Sequence, residues 1–258
     1  MAEHGAVQVL VLGSVEVWVG SRVIEVSPLE RALVALLALT PDRIVSTAAI
    51  ADGLWGDSPP RSARTRVQAL VSGVRRKLAD SADALSTRGP GYTLAALTDS
   101  VVFNRLVTAG RSWVAEREVE QACTAFDLAL TLWRGPALDG IDAPFAGMAR
   151  TTLSEKQLLA VEEHADVQLA CGRHRALTPD LVQFVAAHPF RERARAQLMT
   201  ALYRSGRQCE ALAAYREGRD LLDRELGLAP CPQLQQLYQR ILLHDLCAGS
   251  GEPLTLTR

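Results

Sequence analysis

Lysine is almost missing from this chain: Lys77 and Lys156 are the only two, and arginine carries the rest of the positive charge. Charge bias is missing as well. The formal net charge is −1 over 258 residues, so bulk electrostatics supplies no attraction to nucleic acid, and any such role rests on how charge is distributed. The cysteines, Cys123, Cys171, Cys209, Cys231 and Cys247, are odd in number and widely spaced, with neither a CxxC pair nor a histidine at ligand spacing. That excludes a disulfide framework and a zinc module and leaves reduced, mostly buried thiols. No apolar run reaches the roughly 18 residues that a membrane span needs. The opening stretch VQVLVLGSVEV lacks a basic leader and alternates apolar with polar residues, as a strand does and a signal peptide does not. A GxxxxGKS/T phosphate loop is absent, and His4, His164, His174, His188 and His244 form no triad or ligand spacing. The expectation is a cytoplasmic, membrane-free protein that is not an enzyme and uses no cofactor or metal.

What is present exceeds one average domain, with 48% hydrophobic and 22% charged residues. From residue 8 to 26 three β-branched runs, broken at Gly13-Ser14 and Gly20-Ser21, read as a short antiparallel meander. Ser27-Pro28 with Glu30 in the first turn then opens a helix with Leu29, Leu33, Leu36 and Leu37 on one face, running to about Thr40. Ser46 caps a second helix carrying Ile50, Leu54 and Trp55, and the sequence GDSPP ends it.

The third helix, residues 61–78, is the most informative segment. At 100° per residue, Ala63, Val67, Leu70, Val71, Val74 and Leu78 share one face, while Arg61, Thr65, Gln68, Ala69, Ser72 and Arg76 share the opposite one. Arg61, Arg64, Arg66, Arg75, Arg76 and Lys77 place six positive charges here before the first acid, Asp80. A hairpin around Arg88-Gly89-Pro90-Gly91 follows. Three helices, the third basic, and a Gly-Pro hairpin spell a winged helix-turn-helix whose third helix lies in the major groove and whose wing arginine reaches backbone or minor groove. The candidate DNA-binding residues are Arg61, Arg64, Thr65, Arg66, Gln68, Ala69, Ser72, Arg75, Arg76 and Arg88. The plainer alternative is an amphipathic helix with a solvated arginine face, and periodicity alone leaves it open.

Beyond Asp99 the pattern is helical, with degenerate tetratricopeptide-like repeats. Leu106, Ala109-Gly110 and Trp113 face Ala122, Phe126 and Ala129; Gly172, Leu177, Leu181, Phe184 and Pro189 form a second unit; Gly206, Ala211, Tyr215 and Gly218 form a third, with a longer helix before Pro230. A last helix from Pro232 to about Leu243 caps the stack through Leu234, Leu237, Tyr238 and Ile241. Small residues let paired helices approach, and stacked pairs make a concave surface for partners. A plain helical bundle satisfies the same spacing.

The segments LWGDSPPRSARTRVQALVSGVRRKL and TRGPGYTL resemble an OmpR-type DNA-binding domain. The segment LMTALYRSGRQCEALAAYREGRDLLDRELGLAPCPQLQQLYQRIL resembles a bacterial transcriptional activation domain. In this order the chain is similar, over about residues 7–243, to the Streptomyces antibiotic regulatory protein family, although Arg66 and Ala69 depart from the small polar and aromatic residues usual there. The resemblance implies a mainly α fold: a winged helix-turn-helix at 1–97 (N-terminal β-meander, three helices, C-terminal hairpin), an all-α tetratricopeptide-like domain at 98–246 and a flexible tail at 247–258. It also implies an activator that binds direct repeats of double-stranded promoter DNA near the −35 region. As a homodimer on those repeats it would recruit RNA polymerase holoenzyme to antibiotic biosynthesis genes, in a short, stand-alone form of the family. A repressor of the same fold, or a helical-repeat adaptor whose winged domain docks protein, are the alternatives.

Overall fold

The computed structural model describes residues 6–41 and 43–245; His4, Cys247 and the tail expected at 247–258 lie outside them. The chain forms two compact units that interleave in sequence, residues 1–109 with 127–158, and residues 110–126 with 159–258.

The first unit opens with β1 (Val7–Leu10), β2 (Glu16–Val19) and β3 (Arg22–Val23), the expected meander. Val9 faces Val17 across the antiparallel β1–β2 pair. A short strand, β7 (Leu97–Thr98), adds to the other edge of β1 in parallel, giving the order β3-β2-β1-β7. Helix α1 (Pro28–Ala38) starts where the sequence signals it: Ser27 and Glu30 form a capping box and Pro28 takes the first helical position. A strand β4 (Val45–Ser46) leads into α2 (Thr47–Trp55), whose cap Ser46 accepts the Ala49 amide at 3.1 Å. Helix α3 (Ala63–Leu78) follows, beginning two residues later than the sequence suggests. A 3-10 turn then leads to the hairpin strands β5 (Leu85–Arg88) and β6 (Gly91–Leu94), with β4 paired to β6. Leu33, Leu37, Ile50, Val67, Val71, Val74, Leu78 and Leu85 are buried together in this unit.

Residues beyond the wing complete the same unit. Asp99, the first residue of α4 (Asp99–Ala115), takes the amides of Val11 at 2.8 Å and Leu12 at 2.9 Å on its carboxylate. The carbonyls of Val11, Leu12 and Gly13 accept the amides of Leu138, Arg134 and Asp139 at 2.9, 2.8 and 3.0 Å. Every one of these strand-end groups is thereby paired. Phe103 meets Trp133 edge-on, with ring centroids 5.5 Å apart. Burial pushes the Asp99 carboxyl up from its ordinary value, against the pull of the Leu12 and Val11 amides and the Arg134 guanidinium.

The second unit is all helical. It draws on α5 (Val119–Thr131) and α6 (Pro144–Ala170), and contains α7 (His174–Ala187), α8 (Glu192–Arg204), α9 (Gln208–Leu226) and α10 (Pro232–Leu242). Its core gathers Leu169, Leu181, Leu198, Met199, Leu202, Tyr215, Leu234 and Ile241, with Tyr215 stacked on Tyr238 at 4.1 Å. Of the small repeat positions, Gly110 and Gly218 permit close helix approach as anticipated, whereas Gly172 and Gly206 lie in turns with open space around them. A Cβ on Gly110 would press into the Phe126 ring, and one on Gly218 would collide with the buried Arg195 side chain. The architecture is a winged helix-turn-helix with a tetratricopeptide-like helical unit.

Candidate nucleic-acid interface

Helix α3 buries Val67, Val71, Val74 and Leu78. The opposite face carries Thr65, Gln68, Ala69, Ser72 and Arg76, all exposed, and Arg61 just ahead of the helix is exposed too. At 100° per residue these six lie within an arc of about 100°, flanked by the exposed Arg64 and Arg66. No acid stands in the first turn of α3, so its free amides and dipole present only positive potential there.

Two of the six cations predicted from sequence are turned to other partners. Arg75 donates Nε to the Leu85 carbonyl at 2.7 Å and Nη2 to Thr87 Oγ1 at 2.9 Å, fastening the helix to the first wing strand. Lys77 pairs with Glu30 at 2.5 Å. The Glu30 carboxylate is buried against Gly73, where any Cβ would collide with it. Burial alone would raise the Glu30 pKa, but hydrogen bonds from Lys77 and from the Ser27 backbone and hydroxyl, with the Lys77 charge, hold it below the usual carboxylate value.

Arg88 is exposed at the hairpin tip, in register with Gly91. The tip is anchored from the far side: the Thr47 amide and hydroxyl both donate to the Pro90 carbonyl at 3.1 Å. Gly91 has Val45 and Ser46 so close that a Cβ would run into the Val45 carbonyl, which explains its glycine. Thr47 and Arg75 thus tie the wing to α2 and α3, and Glu30 ties α3 to α1; the sequence places Glu30 in the first turn of α1 and Arg75 among the DNA contacts, and points to neither packing role. The nearest signal was the turn residue Pro90, whose partner could not be named from sequence.

An exposed basic helix beside a braced hairpin is the arrangement of a winged-helix domain. Residues 21–94 match the family model described as transcriptional regulatory protein, C terminal, and residues 98–242 match that of the bacterial transcriptional activator domain. The chain belongs to the Streptomyces antibiotic regulatory protein family of transcriptional regulators. Regulatory protein AfsR of Streptomyces coelicolor is 39% identical over 265 residues, covering 99% of this chain and 26% of that protein. The chain therefore spans about a quarter of the AfsR proteins it matches. Regulatory protein DnrI of Streptomyces peucetius is 36% identical, covering 88% of both. A solved structure of Mycobacterium tuberculosis EmbR in complex with a low-affinity phosphopeptide superposes with a TM-score of 0.89 at 34% identity, over 93% of this chain and 66% of that one. No described helix is long and apolar enough to cross a membrane.

Proposed function

We propose that the protein is a cytoplasmic, non-enzymatic activator that binds direct repeats of promoter DNA near the −35 region and recruits RNA polymerase to secondary-metabolite genes. The observation that carries this reading is the acid-free face of α3, with Arg61, Arg64, Arg66 and Arg76 exposed and Arg88 held at the wing tip. On it, Gln68 and Arg76 read base edges, while Thr65, Ala69 and Ser72 allow close approach to the groove. Arg61, Arg64, Arg66 and Arg88 contact phosphates, and Arg75 serves by holding the wing. A homodimer on tandem sites matches direct repeats, each winged helix occupying one repeat. The functional division at 97/98, DNA reading before it and partner contact after it, belongs to the same proposal.

Partner contact is supported by a groove of about 700 Å3 in the helical unit, lined by Val182, Leu198, Leu202 and Leu221 together with Arg207 and Glu210. The test combines two measurements on the full chain: footprinting on candidate promoters, and transcription in vitro with purified holoenzyme. Protection of paired sites with increased transcript is expected. Protection with reduced transcript would make the protein a repressor, and absence of salt-sensitive DNA binding would sink the DNA-binding reading.

A further inference from the structure

The α6–α7 and α8–α9 turns share one backbone design. Each has a glycine at positive φ, 72° at Gly172 and 80° at Gly206. In each, the amide of the following arginine closes the turn, Arg173 donating to the Gln168 carbonyl at 3.0 Å and Arg207 to that of Leu202 at 2.9 Å. The side chains then differ. Arg207 forks onto Glu210 of its own helix at 2.7 and 2.6 Å. Arg173 reaches across to α5, donating Nη2 to Glu120 at 2.5 Å and Nη1 to the Cys123 sulfur at 3.0 Å. Where the second turn has Ser205, the first has Cys171, near enough to Glu120 and Cys123 for both to act on its thiol. His164 Nε2 adds a polar contact to the Cys123 sulfur at 3.9 Å.

We propose that Cys123 and Cys171 are a reversible oxidation site, converted by small hydroperoxides to a disulfide that ties α5 to the α6–α7 turn. The turn itself does not require this arrangement, because its counterpart closes with serine and a local arginine pair. The Arg173 guanidinium, 3.0 Å from the Cys123 sulfur, is placed to stabilise the negative charge that builds on that sulfur as it attacks a neighbouring oxidised sulfur. Cys171 is half-buried and Cys123 buried, which makes Cys171 the sulfur a solvent oxidant meets. Burial and the Glu120 carboxylate push the Cys171 thiol up, so its oxidation is slow until peroxide accumulates.

The steps balance. Cys171 gives its thiol proton to Glu120 and its sulfur attacks hydrogen peroxide; the O–O bond breaks, and the departing hydroxide takes that proton from Glu120 as one water, leaving a sulfenic acid on Cys171. The Cys123 thiol then gives up its own proton as its sulfur attacks that sulfur; the S–O bond breaks, and the departing hydroxide takes that proton as a second water. Two thiols are oxidised and one peroxide is reduced.

The experiment treats the full chain with graded hydrogen peroxide, alkylates the remaining thiols in denaturant and maps unreduced peptides by mass spectrometry. The expected product is one intramolecular link between Cys123 and Cys171, with the mass of two hydrogens lost and restored by dithiothreitol. Arg173→Gln should slow its formation about tenfold, because the guanidinium that contacts the Cys123 sulfur also lowers the Cys171 thiol, and Arg173→Lys should not. Cys123→Ser should leave a sulfenic acid on Cys171 that dimedone captures. Full alkylation of both thiols after the exposed Cys209 is consumed would overturn the proposal. So would sulfinic acid at Cys171 without a link, or an unchanged rate in Arg173→Gln. If Cys123→Ser does not fold, the wild-type map and the Arg173 pair still decide.

Discussion

Lys77 Nζ sits 2.5 Å from Glu30 Oε2, and the same oxygen accepts the Ser27 amide at 2.7 Å. One buried carboxylate therefore caps α1 and fastens the basic helix to it. Glu30 has its pKa lowered in the fold, with burial outweighed by these partners. Its contribution is thus complete above the unfolded value and is lost as pH falls through the lower folded value. Glu30→Gln should cost about 1–3 kcal/mol at neutral pH, and the gap to wild type should close as acid protonates the carboxylate below the ordinary carboxylate range. Urea unfolding at several pH values measures it; a gap that stays constant with pH would contradict the assignment.

Arg75 is the second point. Arg75→Met removes the bonds to Leu85 and Thr87 and should lower stability by about 1–2 kcal/mol. DNA affinity should fall with it, while the slope of affinity against salt stays unchanged. A phosphate-contacting arginine would instead flatten that slope by about 0.9, so a salt titration separates the two roles.

The remaining cations set the slope itself. Six contacts, as counted along the helix, would give about −5, whereas the four phosphate contacts of Arg61, Arg64, Arg66 and Arg88 give about −3.6 per bound copy. Arg88→Ala should weaken specific and random DNA alike. Gln68→Ala and Arg76→Ala should lose about 1–3 kcal/mol of discrimination and narrow the difference between the two DNAs. Gel shifts on both DNAs, with equal losses for all three variants, would refute this division.

Gly91→Ala tests the wing's root. The added Cβ meets the Val45 carbonyl, a backbone atom that cannot swing away. The substitution should cost about 1–3 kcal/mol and loosen the β4–β6 pair. Hydrogen exchange at β4 and β6, faster than in wild type, is the expected readout.

Much of the fold was legible because strong local chemistry announces it. Ser27-Pro28-Glu30, Ser46, the Gly-Pro hairpin and Pro232 mark element starts that the structure repeats. The apolar stripe of α3 likewise specified its buried face. The two-residue strands β4 and β7 were not legible, since two residues carry no periodicity and β7 pairs with a strand nearly ninety positions away. Nor was the inward use of Arg75 and Lys77. Charge counting along a helix cannot see a carbonyl at Leu85 or a carboxylate at Glu30, so it credits every arginine to the solvent face. Arg61, Arg64, Arg66 and Arg76, which lack such neighbours in the described contacts, were credited correctly as exposed.

The strand-end groups of residues 11–13 have a bearing on where the first unit ends. Their partners are Asp99 and the amides of Arg134, Leu138 and Asp139, all of them within the span of the second family model. Cut at residue 97, the winged helix would leave those partners behind, stranding amides and carbonyls that the longer chain pairs. The first compact unit thus runs past the junction of the two family segments, and the piece before the junction is not a complete unit by itself.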